Sequence, residues 1–319
     1  MALTDVLSSA LTRSSFQDAG ILDPFAYTAS RPGKGVRARL FSAFNVWMNV
    51  PQAEIEIIEK VVCMLHDASL MLDDIEDNSQ LRRGRPAAHT VYGIPRTINA
   101  ATYVHTMVYQ ELLHMKSSHS EYSDLVMILT AELDCLHHGQ GLDIIWRDSF
   151  HCPTEAEYMH MVKNKTGGLL RMGGTPYDGV LNHKQRHVSR DYVTLVDLIG
   201  AHYQIRDDYM NLLSPDYSAN KGFAEDIEEG KFSFPIIHGV HTNTSNQLIL
   251  DVLKSRPATL TLKTQIIGYL QHETKSFNYT VAVLDALEVE INNTIRNLGG
   301  NAELSEIVKG LHVDGTTFN

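Results

Sequence analysis

Two short acidic runs are the residues in this chain best suited to chemistry: Asp73-Asp74-Ile75-Glu76-Asp77 and Asp207-Asp208-Tyr209-Met210-Asn211. On a helix, Asp73 and Asp77 share one face, as do Asp207 and Asn211, because residues four apart are neighbours there. Carboxylates stacked in this way repel one another unless a cation lies between them. Each run also follows an apolar helical stretch, so its acids fall toward the negative end of the helix dipole. A single such run reads equally well as a solvated acidic helix end, whereas two in one bundle point to metal. The donors are hard oxygens, which suits Mg²⁺, an ion that takes a few carboxylates, retains waters and shares phosphate oxygens. A carboxylate-bridged di-iron centre would need Glu-x-x-His pairs, and neither run carries one.

The chain has a formal net charge of −11, yet its cations gather near these runs. Leu81-Arg82-Arg83-Gly84-Arg85-Pro86 follows the first run directly. Pro32-Gly33-Lys34-Gly35-Val36-Arg37-Ala38-Arg39 sets cations after a glycine-containing turn at a helix start, a place suited to anions. Lys165-Thr166, Lys221-Gly222 and Lys231 add three more. Any one lysine reads as a surface charge. The set, in an acidic protein, reads as a diphosphate-binding group, with Arg for bidentate contact and Lys as a point charge. The acidic balance argues against a nucleic-acid partner, since such proteins present a basic face.

Helices must position these residues. Helical patterning is expected over about 35–49, 52–77, 95–115, 122–147, 154–172, 190–213 and 259–298. Breakers fall between these segments at Gly84-Arg85-Pro86, Pro153, Gly173-Gly174-Thr175-Pro176, Ser214-Pro215 and Arg256-Pro257. Strand patterning is nearly absent. Long helices with short connections predict an all-α antiparallel bundle, and no linker or repeat divides the 319 residues, so a single domain over 1–319 is expected. Composition is ordinary for a globular chain, with 43% hydrophobic and 20% charged residues. No run is apolar enough to span a membrane. The start of the chain lacks a basic stretch followed by an apolar core, so no secretory signal is expected. Cys63, Cys135 and Cys152 are odd in number and form no CxxC pair. A cytoplasmic location is the expectation that follows.

DDIEDNSQLRRGRPAAH, HHGQGLDIIWRD, NKTGGLLRMGG, YQIRDDYMN and KGFAEDIEEGKFSFPIIH resemble, in order and spacing, the successive motifs of the trans-prenyltransferases. The likeness is greatest to eukaryotic, especially fungal, geranylgeranyl diphosphate synthases, and runs from about Pro32 to His238. The resemblance implies a helical bundle around a deep central cavity, working as a homodimer or an oligomer of dimers. It implies that Asp73, Asp74, Asp77 and Asp207 hold three Mg²⁺ ions, while Asp208 and Asn211 complete the second motif. Arg82, Lys165, Thr166, Gln204, Lys221 and Lys231 would contact the allylic diphosphate, and Lys34, Arg37, His66 and Arg83 the isopentenyl diphosphate. Lys165 and the aspartates would carry the catalytic load. After NKTGG the sequence reads LLRMGGTPYDGV, with glycines and a proline where a family helix continues.

The same resemblance places chain-length control upstream of Asp73. Ala68 and Ser69 are small where fifteen-carbon synthases often carry aromatic rings, so products beyond fifteen carbons are expected. His105, Thr106 and His137 match the positions that build the next floor, and Thr106 is smaller than the ring often found there. Farnesyl diphosphate extended to geranylgeranyl diphosphate is the expected reaction. The alternatives are a class I terpene cyclase, a non-catalytic synthase subunit, or the prenyltransferase part of a bifunctional terpene synthase with a twenty-five-carbon product. A cyclase would carry an N-D-x-x-S-x-x-x-E element and needs no second diphosphate pocket, and a regulatory subunit would have lost acidic motifs.

Overall fold

In the computed structural model of the protein, residues 20–30, 35–113, 122–174, 189–214, 222–256 and 259–315 are described. These residues form fifteen helices and one two-stranded ribbon. In chain order the helices are α1 (Asp23–Ala29), α2 (Val36–Met48), α3 (Gln52–Glu76), α4 (Ala88–Tyr92), α5 (Ile94–Leu113), α6 (Tyr122–Ser149), α7 (Glu155–Lys165), α8 (Gly167–Gly174), α9 (Ser189–Leu213), α10 (Glu225–Glu229), α11 (Phe234–Thr242), α12 (Leu248–Ser255), α13 (Leu260–His272), α14 (Ser276–Asn297) and α15 (Ala302–Leu311). The ribbon pairs β1 (Leu81–Arg82) with β2 (Arg85–Pro86).

The first acidic run is carried by α3. Its buried residues Ile55, Ile58, Val62, Leu65, Ala68 and Met71 recur every three or four positions, and this period lays them along one stripe. That stripe packs against α5, whose buried face includes Ala100, Ala101, Val104 and Val108. The two alanines are small enough to let the helices approach closely. Asp73 and Asp74 occupy the last turn of α3, and Asp77 caps its C-terminus. Three apolar clusters fill the interior. One joins α2, α3, α5, the first half of α6 and α8; a second joins the end of α6 with α7, the end of α9 and α11–α14; the third joins α2, α9, α14 and α15. Helix α6 spans the first two, with Leu125 and Leu129 in one and Trp146 in the other. Its central residues therefore lie between them.

Two expected helices are each divided. The segment predicted over 154–172 breaks at Thr166 into α7 and α8, and Thr166 turns its hydroxyl to Gln204 Oε1 at 2.9 Å. The segment predicted over 259–298 breaks at Lys275, which adopts φ 54° between α13 and α14. No apolar residue falls across either break, in 163–168 or in 271–276, and of the two break residues only Lys275 is left-handed. The ribbon was also not expected, because strands of two residues are too short to show alternation. Helix α8 is locked by a buried guanidinium: Arg171 donates to Glu132 on α6 at 2.7 Å, to Asp197 on α9 at 2.7 Å and to the Lys163 carbonyl on α7 at 3.0 Å. The segment 175–188, where the departure after NKTGG continues, lies outside the described residues.

Candidate active site

Asp73 stands at the centre of the first acidic group. Its carboxylate accepts from Arg82 Nη2 at 3.2 Å and Gln140 Nε2 at 3.2 Å, with Lys165 Nζ at 3.5 Å. Asp74 is buried and accepts from Arg82 through Nε at 2.7 Å and through a short second contact from Nη2. Asp77 meets Arg147 Nη1 at 2.5 Å. Burial first, then the nearby charges of Asp73 and Glu229, push the Asp77 carboxyl well above the usual carboxylate range. Negative charge is thus in excess at this end of α3, as expected of an all-oxygen donor set for a hard cation. Asp73, Asp74 and Asp77 supply the carboxylate oxygens that fit Mg²⁺ here, with Glu76 held beside them by Gln140.

Helix α6 supplies the opposite wall. Gln140, Asp143 and Arg147 are three and four residues apart and share one face. Gln140 also donates to Glu76 at 2.7 Å. Asp143 is buried and accepts from Lys165 Nζ at 2.8 Å. Burial alone would raise the Asp143 carboxyl, but Lys165 and Lys231 override it and hold it below the usual range. Burial would lower the Lys165 ammonium, and Asp143 and Asp73 instead hold it above the ordinary lysine range. Gly139 makes this wall possible: a Cβ there would sit 2.5 Å from the Lys165 backbone nitrogen, so only glycine lets α6 touch the end of α7.

In the second acidic run, adjacent residues serve different ends. Asp208 is buried; its Oδ2 accepts from Tyr158 Oη at 2.6 Å and Phe234 N at 2.9 Å, and its Oδ1 from Gln204 Nε2 at 3.0 Å. It joins α7, α9 and the start of α11. Asn211 is likewise buried and accepts from Asp226 N at 3.2 Å, which ties α9 to α10. Asp207 is half-buried and lies near Tyr203. Lys231 Nζ lies 3.6 Å from Asp208 and 3.8 Å from Asp226. Burial works against its charge, and Asp226, Asp208 and Asp143 outweigh this and keep it firmly ammonium. Glu229, on α10, accepts from Ser79 Oγ at 3.2 Å and faces Asp77, so α10 closes the first acidic group from the far side.

A second basic group lies beside the first. Burial, then the charges of Arg37, Arg83 and Arg82, drives the His66 imidazole well below its ordinary pKa, so it is neutral. Arg83 Nη2 lies 3.6 Å from Asp67, one residue along α3. Arg37 and Arg83 therefore both lie near His66. Lys34 and Lys221 lie outside the described residues. Of the chain-length positions, Ala68 is fully buried and Ser69 half-buried, its hydroxyl donating to the His66 carbonyl at 2.8 Å. The His105 and His137 rings meet edge-on with centroids 5.7 Å apart, while Thr106 lies on the exposed side of α5.

The acidic-run pattern does not single out Gln140, Asp143, Arg147, Tyr158 or Glu229. The three α6 residues do leave a signal, because polar groups three and four apart inside HHGQGLDIIWRD define one face of a mostly apolar helix. Glu229 and Tyr158 leave none, since each acts across a contact distant in sequence.

A profile of the polyprenyl synthetase family matches residues 18–270. A geranylgeranyl pyrophosphate synthase from Mucor circinelloides f. lusitanicus is 43% identical over 296 residues, covering 93% of this chain and 94% of that protein. One from Hericium erinaceus is 43% identical over 93% of this chain and 92% of its own length. A protein from Melampsora lini named IDS-like terpene synthase 1 is also 43% identical, over 93% of this chain and 89% of its own. With its motifs in order and its fold all-helical, this chain belongs to the polyprenyl synthetase family of prenyltransferases.

Proposed function

We propose that the chain condenses isopentenyl diphosphate with farnesyl diphosphate in the presence of Mg²⁺, forming geranylgeranyl diphosphate and releasing diphosphate. The observation that carries this reading is the pair of adjoining polar groups. One is an oxygen-rich group, Asp73, Asp77 and Asp143, laced with Arg82 and Lys165; the other is the basic group Arg37, His66 and Arg83. Two diphosphates need two such places, and a cyclase needs one. The names of the relatives support the twenty-carbon product.

In this reading Asp73, Asp74, Asp77 and Asp207 hold the metal, which when bound stabilises charge on the departing diphosphate. Lys165, Arg82 and Lys231 bind the allylic diphosphate, and Thr166 and Gln204, already hydrogen-bonded to each other, orient it. Cations fixed before reaction stabilise the developing charge without reorganising. The allylic C–O bond breaks, the isopentenyl double bond attacks the resulting carbocation, and the C2 proton leaves, taken up by the released diphosphate. Asp208 and Asn211 act as positioning residues for α7, α10 and α11. Arg37, Arg83 and neutral His66 hold isopentenyl diphosphate. A cytoplasmic homodimer is part of the proposal. Val91, Ile94, Ile98 and Leu113 on α4 and α5 and Met127 on α6 are exposed apolar residues suited to a second copy, and no helix among the described residues is long and apolar enough to cross a membrane. The test is to incubate the protein with isopentenyl diphosphate and dimethylallyl, geranyl or farnesyl diphosphate, with and without Mg²⁺, and to size the products. Metal-dependent release of a twenty-carbon diphosphate is expected. A cyclised hydrocarbon, or no diphosphate release, would refute the reading.

A further inference from the structure

The β1–β2 ribbon concentrates three arginines in six residues. Its register pairs Leu81 with Pro86 and Arg82 with Arg85, so the turn is only Arg83 and Gly84. Both turn residues have positive φ, 52° and 72°, the conformation of a primed two-residue hairpin. Arginine is not a natural occupant of the first of these positions, where Asn or Asp is preferred, and a non-glycine residue in the left-handed region carries local strain. The register also sets Arg82 directly opposite Arg85, and like charges so placed across an antiparallel pair are destabilising. Arg82 is compensated by Asp73 and Asp74, and Arg83 faces Asp67. The Arg85 side chain is exposed and has no ion-pair or hydrogen-bond partner among the described residues.

Between this ribbon and the end of α1 lies a pocket lined by Tyr27, Thr28, Arg82, Arg83 and Arg85, and no carboxylate is among the described residues that line it. The Tyr27 hydroxyl donates to the Pro86 carbonyl at 2.9 Å, fastening α1 to the strand that bears Arg85. The pocket is thus built from two elements, shares Arg83 with the basic group beside His66, and has an unneutralised guanidinium at its edge. A guanidinium that no acid neutralises, set beside two that are already paired, is matched by phosphate oxygens.

We propose that this pocket is an accessory site for a phosphate-class anion, with Arg85 as its own cation, adjoining the isopentenyl diphosphate pocket. The anion is either the diphosphate group of incoming isopentenyl diphosphate or the inorganic diphosphate released by the reaction. The inference rests on the prenyl-transfer reading for these two sources, but not for the anion chemistry itself. It is tested on the full chain with Arg85→Gln and Arg85→Lys. Calorimetry with inorganic diphosphate should show binding weakened about three- to tenfold in Arg85→Gln and largely restored in Arg85→Lys. The turnover number, the KM for farnesyl diphosphate and the melting temperature should stay unchanged, since Arg85 is exposed. A matching rise in the KM for isopentenyl diphosphate assigns the site to the substrate. A weaker inhibition by inorganic diphosphate with unchanged KM assigns it to the product. Diphosphate binding and both kinetic constants unaltered in Arg85→Gln would overturn the proposal. If the wild type released no diphosphate from its substrates, the prenyl-transfer reading would fail, while the calorimetric comparison would still decide the anion site.

Discussion

Asp73 is approached by three protein donors from three elements, Arg82, Gln140 and Lys165, so its replacement disturbs more than one carboxylate. Asp73→Ala should lower turnover about a hundredfold or more at saturating Mg²⁺, because the charge on the leaving group loses its metal. Asp207→Ala should do the same from the other side. Steady-state rates across a Mg²⁺ series would check this, and near-wild-type turnover in either variant would remove that residue from the metal site. Arg37 lies in the other polar group, with His66 and Arg83. Arg37→Gln should therefore raise the KM for isopentenyl diphosphate well above any change for farnesyl diphosphate. Equal changes for both substrates would mean that the two pockets are wrongly divided.

The helices act through their spacing. Gly139 lets α6 meet the N–H and Cα of Lys165, where an added Cβ would lie 2.5 and 2.9 Å away. Backbone atoms cannot step aside, so Gly139→Ala should force α6 from α7 and draw Lys165 away from Asp143. A stability loss of about 1–3 kcal/mol is expected, as for other overpacked contacts, with a larger fall in turnover. Gly141→Ala, two residues on, meets nothing within 4 Å and should be neutral or slightly stabilising. Denaturant midpoints and rates for the two variants would separate packing from propensity. Helices α3, α5 and α6 also carry the chain-length residues. Ser69→Phe and Ala68→Phe should shorten the product and His137→Ala lengthen it, because one isoprene unit needs a void of several methylene groups. Ser69 is the cleaner probe, since Ala68 is fully buried and a ring there overpacks the α3–α5 contact. Product sizes unchanged in all three folded, active variants would dismiss this floor.

Across the whole molecule, histidines buried as neutral imidazoles link stability to pH. His202 is 1% exposed and bonds Glu288 through Nε2 at 3.1 Å. Burial pushes its pKa below the ordinary value despite that carboxylate, and His105 is lowered by burial and by His137. In both, the unfolded chain binds a proton more readily than the folded one. Their stability is intact above the unfolded pKa of about 6.5 and is lost as pH falls from there toward the folded value. Each such group contributes at most about 1.4 kcal/mol per pH unit in that window. Denaturant midpoints at pH 7.0 and 5.5 should show the wild type weakening on acidification, and His202→Gln weakening less. Identical pH slopes in the two proteins would exclude His202 from the effect.

The acidic runs, the basic residues beside them and the helical class are legible in the sequence because each depends on local spacing. Asp73 and Asp77 share a face whatever α3 packs against, and the apolar stripe of α3 is a property of its own period. Tertiary contacts alone decide how the acids divide their work. Asp207 and Asp208 are neighbours of the same type, yet Asp208 is buried by Tyr158, Gln204 and Phe234, while Asp207 is left half-buried. Arg83 and Arg85 are likewise alike in the sequence, yet Arg83, in the turn, faces Asp67, while Arg85, on β2, lies at the pocket edge. How deeply each side chain is buried, and against what, depends on partners up to 150 residues away, and no local period encodes them.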